Sequence, residues 1–238
     1  MCSRLLERAP SNIQALKSKG DWKTLGVYVH GACRNALRLG MLEIRQNNDL
    51  DSASTYFSAG ATIAAELQFL PPEMLSLSNY DIPIFCCLIS GDFQGAKSLA
   101  EIVNKSSIGN AKSHFDVHAK VLGAFVLSDK DQFRRSIANF ENLEKNYWWE
   151  KQKIYFCLYE SVMEKNQEKY DLLLNEASSL FEERAEDEKF GDQLGEYGGL
   201  GENDYVIDFM ALGIASVAKS KGLDTSLDTK CFPLLILK

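Results

Sequence analysis

A helical-hairpin pattern that recurs three times between residues 80 and 180 constrains the fold more than any other feature of the chain. In each pass, apolar residues at three- and four-residue steps predict a helix, a short turn interrupts it, and a second helical pattern follows. The equivalent positions Leu99, Ile137 and Leu174 are 38 and 37 residues apart. Each hairpin leaves one apolar side uncovered, so we expect neighbouring hairpins to stack and bury it. The three turns are Ser90-Gly91-Asp92, Ser128-Asp129-Lys130 and Glu164-Lys165-Asn166.

The segment before these hairpins fits the same architecture. Residues 22–67 read as a looser hairpin, and Pro71-Pro72 ends its second helix because proline cannot donate the backbone hydrogen bond that a helix needs. Three glycines lower the helix propensity of the first half, and close approach of a second helix is the expected compensation. They are Gly26, Gly31 and Gly40.

A last amphipathic helix is predicted over residues 205–219, with Asn203 or Asp204 as its cap. We therefore predict one all-α domain over residues 1–238. It consists of antiparallel helical hairpins stacked in a repeat-like array similar to tetratricopeptide repeats, although the signature residues of those repeats are absent, and the C-terminal helix caps the array. The apolar face of that helix consists of Val206, Phe209, Met210, Gly213, Ile214 and Val217.

The negative charge of the chain is concentrated in one segment. The net charge is −7 over 238 residues, but residues 182–208 alone hold ten acids against two bases, or −8. The centre of this segment is an acidic, glycine-rich loop at about residues 184–203. Such a charge repels phosphate and argues against nucleic acid as a partner. It would instead attract a basic protein surface.

The N-terminus and the cysteines indicate a cytoplasmic protein. The first residues lack the apolar core of a signal peptide, and no apolar run approaches the roughly 18 residues that span a bilayer, so no membrane association is predicted. No CxxC spacing occurs, and four cysteines lie within helical apolar patterns, as buried free thiols do in a reducing compartment. These are Cys33, Cys86, Cys87 and Cys157.

Two motifs superficially suggest chemistry. His114 and His118 are four residues apart on a predicted helix, but the glutamate that follows the first histidine of a zinc-protease helix is replaced by Phe115. Gly198-Gly199-Leu200-Gly201 follows no predicted strand and lies among acids, which makes it a poor phosphate loop. No serine has an identifiable histidine partner. We predict no catalytic residue, no metal site and no cofactor.

The candidates for partner binding are the acids of the charged segment and two tryptophans. Consecutive aromatic residues on a helix point about 100° apart, so Tyr147, Trp148 and Trp149 cannot all face one core. One of the tryptophans can therefore be an exposed interface residue, while core packing of the others remains the alternative. The acidic candidates are Glu182, Glu183, Glu186, Asp187, Glu188, Asp192, Glu196 and Glu202.

The C-terminal stretch has a distinctive series of features in residues 204–213, 218–223 and 228–235. They are an acidic and aromatic start, a helix with an Ala-Leu-Gly centre, a short basic turn into glycine, and an apolar tail that contains proline. In these features the chain resembles the immunity protein 49 family. Members of that family are bacterial, all-α antidotes of polymorphic toxin systems, and the resemblance implies the same fold and role here.

The resemblance implies an immunity protein that binds a cognate toxin stoichiometrically and blocks it without chemistry. The toxin would be a protein with a basic surface that meets the acidic segment. Two alternatives remain: a helical-repeat scaffold that holds a peptide or protein in a groove, and a metal hydrolase that uses His114 and His118. The sequence leaves the identity of the toxin and the oligomeric state open.

Overall fold

Ten α-helices and no strand make up the part of the chain that the structure describes, which confirms the all-α prediction. The computed structural model describes residues 2–71, 74, 76–106, 113–141, 147–185 and 208–228, with backbone alone for 2–5, 45, 147–151 and 184–185. Within these ranges, none of the helices combines the length and the apolar character that crossing a membrane requires. The helices are α1 (Cys2–Lys19), α2 (Trp22–Leu42), α3 (Leu50–Ala64), α4 (Asp81–Ser90), α5 (Phe93–Lys105), α6 (His114–Leu127), α7 (Lys130–Glu141), α8 (Tyr147–Glu164), α9 (Gln167–Ala185) and α10 (Phe209–Ser220).

Five connections use the same two-residue turn. The first residue adopts a left-handed conformation that ends one helix, and the second is an Asp or Asn whose side chain accepts a hydrogen bond from the third residue after it. In the three predicted hairpins the left-handed residues stand at 91, 128 and 165, each 37 residues after the last. The sequence therefore predicts these turns correctly. The five pairs are Gly20-Asp21, Asn48-Asp49, Gly91-Asp92, Ser128-Asp129 and Lys165-Asn166.

The final helix differs from the prediction in its start and its surroundings. It begins at Phe209, and the side chain of Asp208 caps it by accepting hydrogen bonds from the next helical N–H groups, so the predicted caps Asn203 and Asp204 are wrong. All residues from 211 to 218 are buried, rather than one apolar face only. A Cβ atom at Gly213 would lie 2.5 Å from Cδ1 of Phe85, which shows how closely α10 approaches α4. The helix is thus part of the core.

Helix packing combines sequential and long-range neighbours. Each helix from α1 to α6 packs on the next, and α8 packs on α9. In addition, α2 contacts α4, α6 contacts α8, and α10 contacts α4, α8 and α9. These cross-contacts join the two halves of the chain through one core. The finer expectation of a repeat-like array stays a prediction.

The buried cysteines are free thiols that pack as small apolar groups. Cys33 donates its thiol to the backbone oxygen of Gly60 at 3.4 Å, and Cys86 donates to the backbone oxygen of Cys33 at 3.3 Å. Burial raises the pKa of the Cys86 and Cys87 thiols, so both stay protonated and unreactive at neutral pH. The predicted buried free thiols are confirmed for these three residues, while Cys157 is partly exposed.

The glycines of α2 differ in what surrounds them. A Cβ atom at Gly40 would overlap the ring of Phe57 on α3, and one at Gly26 would lie 3.1 Å from the amide nitrogen of Asn79. At Gly31, by contrast, a Cβ atom would meet nothing within 4 Å. The expected compensation by close helix packing is therefore found at two of the three glycines.

Replacing Gly31 with alanine should raise the free energy of unfolding by about 0.5–1 kcal/mol, because the helix gains propensity at no steric cost. Replacing Gly40 with alanine should lower it by about 1–3 kcal/mol, because Phe57 is 3% exposed and its ring has little room to move. Urea denaturation followed by circular dichroism measures both. If both substitutions changed the free energy of unfolding in the same direction, the packing described for α2 would be contradicted.

Candidate partner-binding surface

A buried carboxylate lies between two histidines at the centre of the fold. Asp81, the first residue of α4, has its carboxylate oxygens 3.5 Å from Nε2 of His30 on α2 and 3.7 Å from Nδ1 of His118 on α6. Nε2 of His118 lies 3.3 Å from the hydroxyl of Tyr159 on α8. Burial alone would raise the pKa of Asp81, but hydrogen bonding and positive charge from His118 and His30 outweigh it, and the pKa falls below its ordinary value. The cluster thus links four helices.

The same cluster is poorly placed for catalysis. His118 is 3% exposed and Tyr159 is fully buried, so a substrate in solvent reaches neither. Two nearly parallel rings, Phe85 and Phe156, have their centroids 6.2 Å from that of His118. Burial also raises the pKa of the Tyr159 hydroxyl far above its ordinary value, which keeps it protonated. We interpret the cluster as a structural tie among helices.

The two histidines of the metal-hydrolase alternative have different surroundings. Both ring nitrogens of His118 lie near protein groups, as described above, whereas the ring of His114 meets Phe140 edge to face with centroids 5.6 Å apart. Among the residues that the structure describes, no group of three or more His, Cys, Asp or Glu side chains could hold a metal ion. A metal at this pair would have to displace His118 from Asp81 or Tyr159.

One acid of the charged segment belongs to the interior. Asp208 is 3% exposed, accepts a hydrogen bond from the hydroxyl of buried Tyr155, and accepts two more from the backbone N–H groups of Met210 and Ala211, both at 3.1 Å. From the sequence alone, Asp208 is grouped with the other acids of the charged segment, because charge counts do not distinguish buried from exposed residues. In the structure this carboxylate joins α8 to α10 and contributes nothing to the surface charge.

Most of the predicted binding residues lie at or beyond the end of the described segments. Glu182 is half-buried and Glu183 is exposed in the last turn of α9. Trp148 and Trp149 lie in the first turn of α8, but their side chains are outside the description. The remaining acids are outside the described residues: Glu186, Asp187, Glu188, Asp192, Glu196 and Glu202.

The outward side of α9 is an acidic stripe with one large apolar residue at its centre. Leu172 is 68% exposed, the most exposed large apolar side chain among the described residues. At 100° per residue it shares an arc of about 80° with three exposed acids and one serine, directly opposite the buried stripe of the helix. We name this set the α9 outer face: Glu168, Leu172, Glu176, Ser179 and Glu183.

Sequence reasoning did not identify the α9 outer face, although a signal for it exists. The buried positions Tyr170, Leu174 and Phe181 define the core-facing side of the helix. Leu172 is two residues from Tyr170 and two from Leu174. Because residues two apart on a helix point in nearly opposite directions, Leu172 points away from the core. The sequence signal for this surface is an apolar residue on the polar side of an amphipathic helix.

A cleft of about 700 Å³ lies between the ends of four helices. It is framed by the start of α3, the end of α4, the start of α5 and the end of α10. Asp51 and Lys219 bring opposite charges to its lining. Its volume is in the range of small-molecule and peptide sites. Its apolar lining consists of Ile44, Leu50, Ala53, Phe57, Leu88, Ile89 and Phe93.

Comparisons with protein-family models, with curated proteins and with solved structures find no significant match. The described residues form an all-α protein that has an acidic outer face on α9, an apolar cleft and a deeply buried ionisable cluster. Membership of the immunity protein 49 family stays a prediction from the C-terminal resemblance.

Proposed function

We propose that this chain is an immunity protein, which binds a cognate bacterial toxin in a stoichiometric complex and neutralises it. The observation that carries the proposal is the acidic end of α9. Glu182 and Glu183 lie in the last described turn of α9 and begin the charged segment, residues 182–208, which holds ten acids against two bases. A local charge of this sign favours a basic partner.

The proposed mechanism is steering followed by occlusion. The acidic segment attracts a basic toxin surface and raises the association rate, and packing against the rigid helices slows dissociation. No reaction of the immunity protein itself is needed. The burial of the Asp81 cluster supports this view, since the rings of Phe85 and Phe156 pack against His118 and a substrate in solvent does not reach it.

Co-expression with a toxin gene, sought first among the neighbours of the gene for this chain, tests the proposal. We expect the chain to restore growth of cells that produce the toxin, and the two purified proteins to form a one-to-one complex. Growth arrest that persists at high levels of the chain, together with no complex in solution, would refute the proposed function.

Reversing the charge of Glu183, Glu186, Asp187 and Glu188 to lysine should slow association with that toxin by about tenfold or more at low salt. The variant should also lose the salt dependence of association or reverse its sign, because the charges that steer the partner now repel it. Stopped-flow or biolayer measurements across a salt series give both quantities. An unchanged association rate would remove the acidic segment from the binding site.

A helical scaffold that holds a peptide is the second candidate, and the apolar cleft favours it. A cleft of this size could receive the apolar side of an extended or helical peptide, as helix-in-groove binders do. Genomic adjacency separates the two candidates, because only the immunity function requires a neighbouring toxin gene. Replacing Phe57 and Leu88 would damage the core, so exposed Ser54→Arg is the suitable cleft-blocking variant.

A further inference from the structure

We propose that the α9 outer face is the docking surface for the basic partner, with Leu172 as its apolar anchor. The inference rests on the proposed function and deepens it by naming the surface and the chemistry of the partner. The partner surface is a shallow apolar socket ringed by lysine and arginine. The proposed contact therefore lies on α9 itself and not only on the charged segment.

The charges of the surface are available to a partner. Within the described residues, the side chains of Glu168, Glu176 and Glu183 form no ion pair and no hydrogen bond. Lys169, which follows Glu168 in the sequence, is already bound to Glu160 at 2.9 Å and lies 3.6 Å from Glu164, both on α8. Three carboxylates on one helix face give that face a negative charge, which a cationic partner surface complements.

The exposure of Leu172 indicates a contact that excludes water. It lies one helical turn from Glu168 on one side and one turn from Glu176 on the other, so an apolar centre is flanked by charge. Interfaces that bind tightly have this arrangement, with an apolar anchor that fills a pocket and a polar rim that keeps water out. A fully basic partner surface without a socket would leave Leu172 unused.

The helix that carries the surface is held in place before any partner binds. The side chain of Gln167 donates to the backbone oxygen of Asp224 at 2.8 Å and accepts from the backbone N–H of the same residue at 2.9 Å. The hydroxyls of Tyr170 and Thr225 lie 2.8 Å apart. Because the segment after α10 fixes the start of α9 in this way, docking needs little ordering of the helix, which favours affinity.

Two sets of variants test the surface, with the toxin that the chain neutralises in the co-expression experiment as the probe. Leu172→Ala should weaken binding about tenfold, and Leu172→Arg by about a hundredfold or more, because arginine both empties the socket and repels the basic rim.

The reversal Glu168→Lys, Glu176→Lys, Glu183→Lys should slow association at least tenfold at low salt. The matched control is Glu7→Lys, Asp131→Lys, Glu141→Lys, which changes net charge equally at exposed sites on α1 and α7. Leu172 variants with wild-type affinity, or equal losses in the two triple variants, would overturn the proposal.

A cross-linking experiment separates failure of the surface from failure of the proposed function. Benzoylphenylalanine replaces Leu172 or, as a control, the exposed Val27 of α2, and the full chain is expressed in its native cells. Cross-links from position 172 to a lysine- and arginine-rich protein segment, lost in the triple reversal, support the surface even where that protein is not a toxin. Absence of such products, or equal yield from position 27, overturns it even where toxin neutralisation is observed.

Discussion

Replacing Asp81 with alanine is expected to lower the free energy of unfolding by about 3–5 kcal/mol, the range for removing one member of a buried ion pair. The carboxylate ties α4 to His30 of α2 and His118 of α6, and it also accepts the N–H of Ile82 at 2.7 Å. Its removal leaves two imidazoles without their acceptor in the interior. Urea denaturation at neutral pH measures the loss. Asp81→Asn keeps the shape and one acceptor oxygen, so it should lose less.

The contribution of Asp81 should also depend on pH in a defined direction. Its pKa in the folded protein lies below the ordinary value of about 3.9. A carboxylate of this kind stabilises the fold fully above its unfolded pKa, and the stabilisation disappears as the pH falls through the folded pKa. The groups that face it are His30, His118 and, beyond the latter, Tyr159, whose raised pKa keeps it neutral throughout.

The stability difference between the wild type and Asp81→Asn is therefore expected to shrink as the pH falls below about 4, where Asp81 of the unfolded chain takes up a proton while Asp81 of the folded protein is still charged. Denaturation curves for both proteins at a series of acidic pH values provide the comparison. A difference that stayed constant down to pH 3 would show that the two histidines do not hold the carboxylate in its charged form.

Replacing Asp208 with alanine is expected to cost about 2–4 kcal/mol. The loss of an N-cap contributes about 1 kcal/mol, and the buried hydroxyl of Tyr155, left without this acceptor, contributes about 1–3 kcal/mol more. The matched control is Asp21→Ala, an exposed cap of α2 that accepts from Thr24 N at 3.2 Å and should cost only about 1 kcal/mol. Thermal and urea denaturation of both variants give the comparison.

A double-mutant cycle with Tyr155→Phe isolates the contact between α8 and α10. If the hydroxyl of Tyr155 stabilises the fold through Asp208, the two substitutions together should cost less than the sum of the single losses. Strict additivity, or equal losses for Asp208→Ala and Asp21→Ala, would mean that the buried contact is weaker than its geometry indicates. The cycle thus tests whether α10 is joined to the core by a polar tie as well as by packing.

The sequence predicts the local features of this fold well because those features depend on neighbouring residues. A left-handed residue followed by Asp or Asn ends one helix and begins the next, and Gly91-Asp92 and Lys165-Asn166 do so as expected. The helical periods on either side follow from the 3.6-residue repeat. All three of the predicted hairpin turns therefore occur where the pattern places them.

Which side chains face solvent was harder to predict, because the charge or polarity of a residue in a sequence carries no record of its burial. Asp208 counts as one more acid of the charged segment, yet it is an interior cap. Leu172 looks like one more core leucine in a run of three, yet it is the one that faces solvent. Only the rotation of α9 against α8 and α10 assigns these side chains to the inside or the outside.

By itself, then, the amino-acid sequence determines the helices, their turns and the concentration of negative charge, since each depends on short-range propensity or composition. Only the tertiary structure decides that α10 is enclosed by other helices and that Asp81 lies between His30 and His118, which are 51 and 37 residues away in the chain. The physical reason is that burial and ion pairing depend on which helix faces meet. Those faces meet through contacts between residues that no local pattern connects.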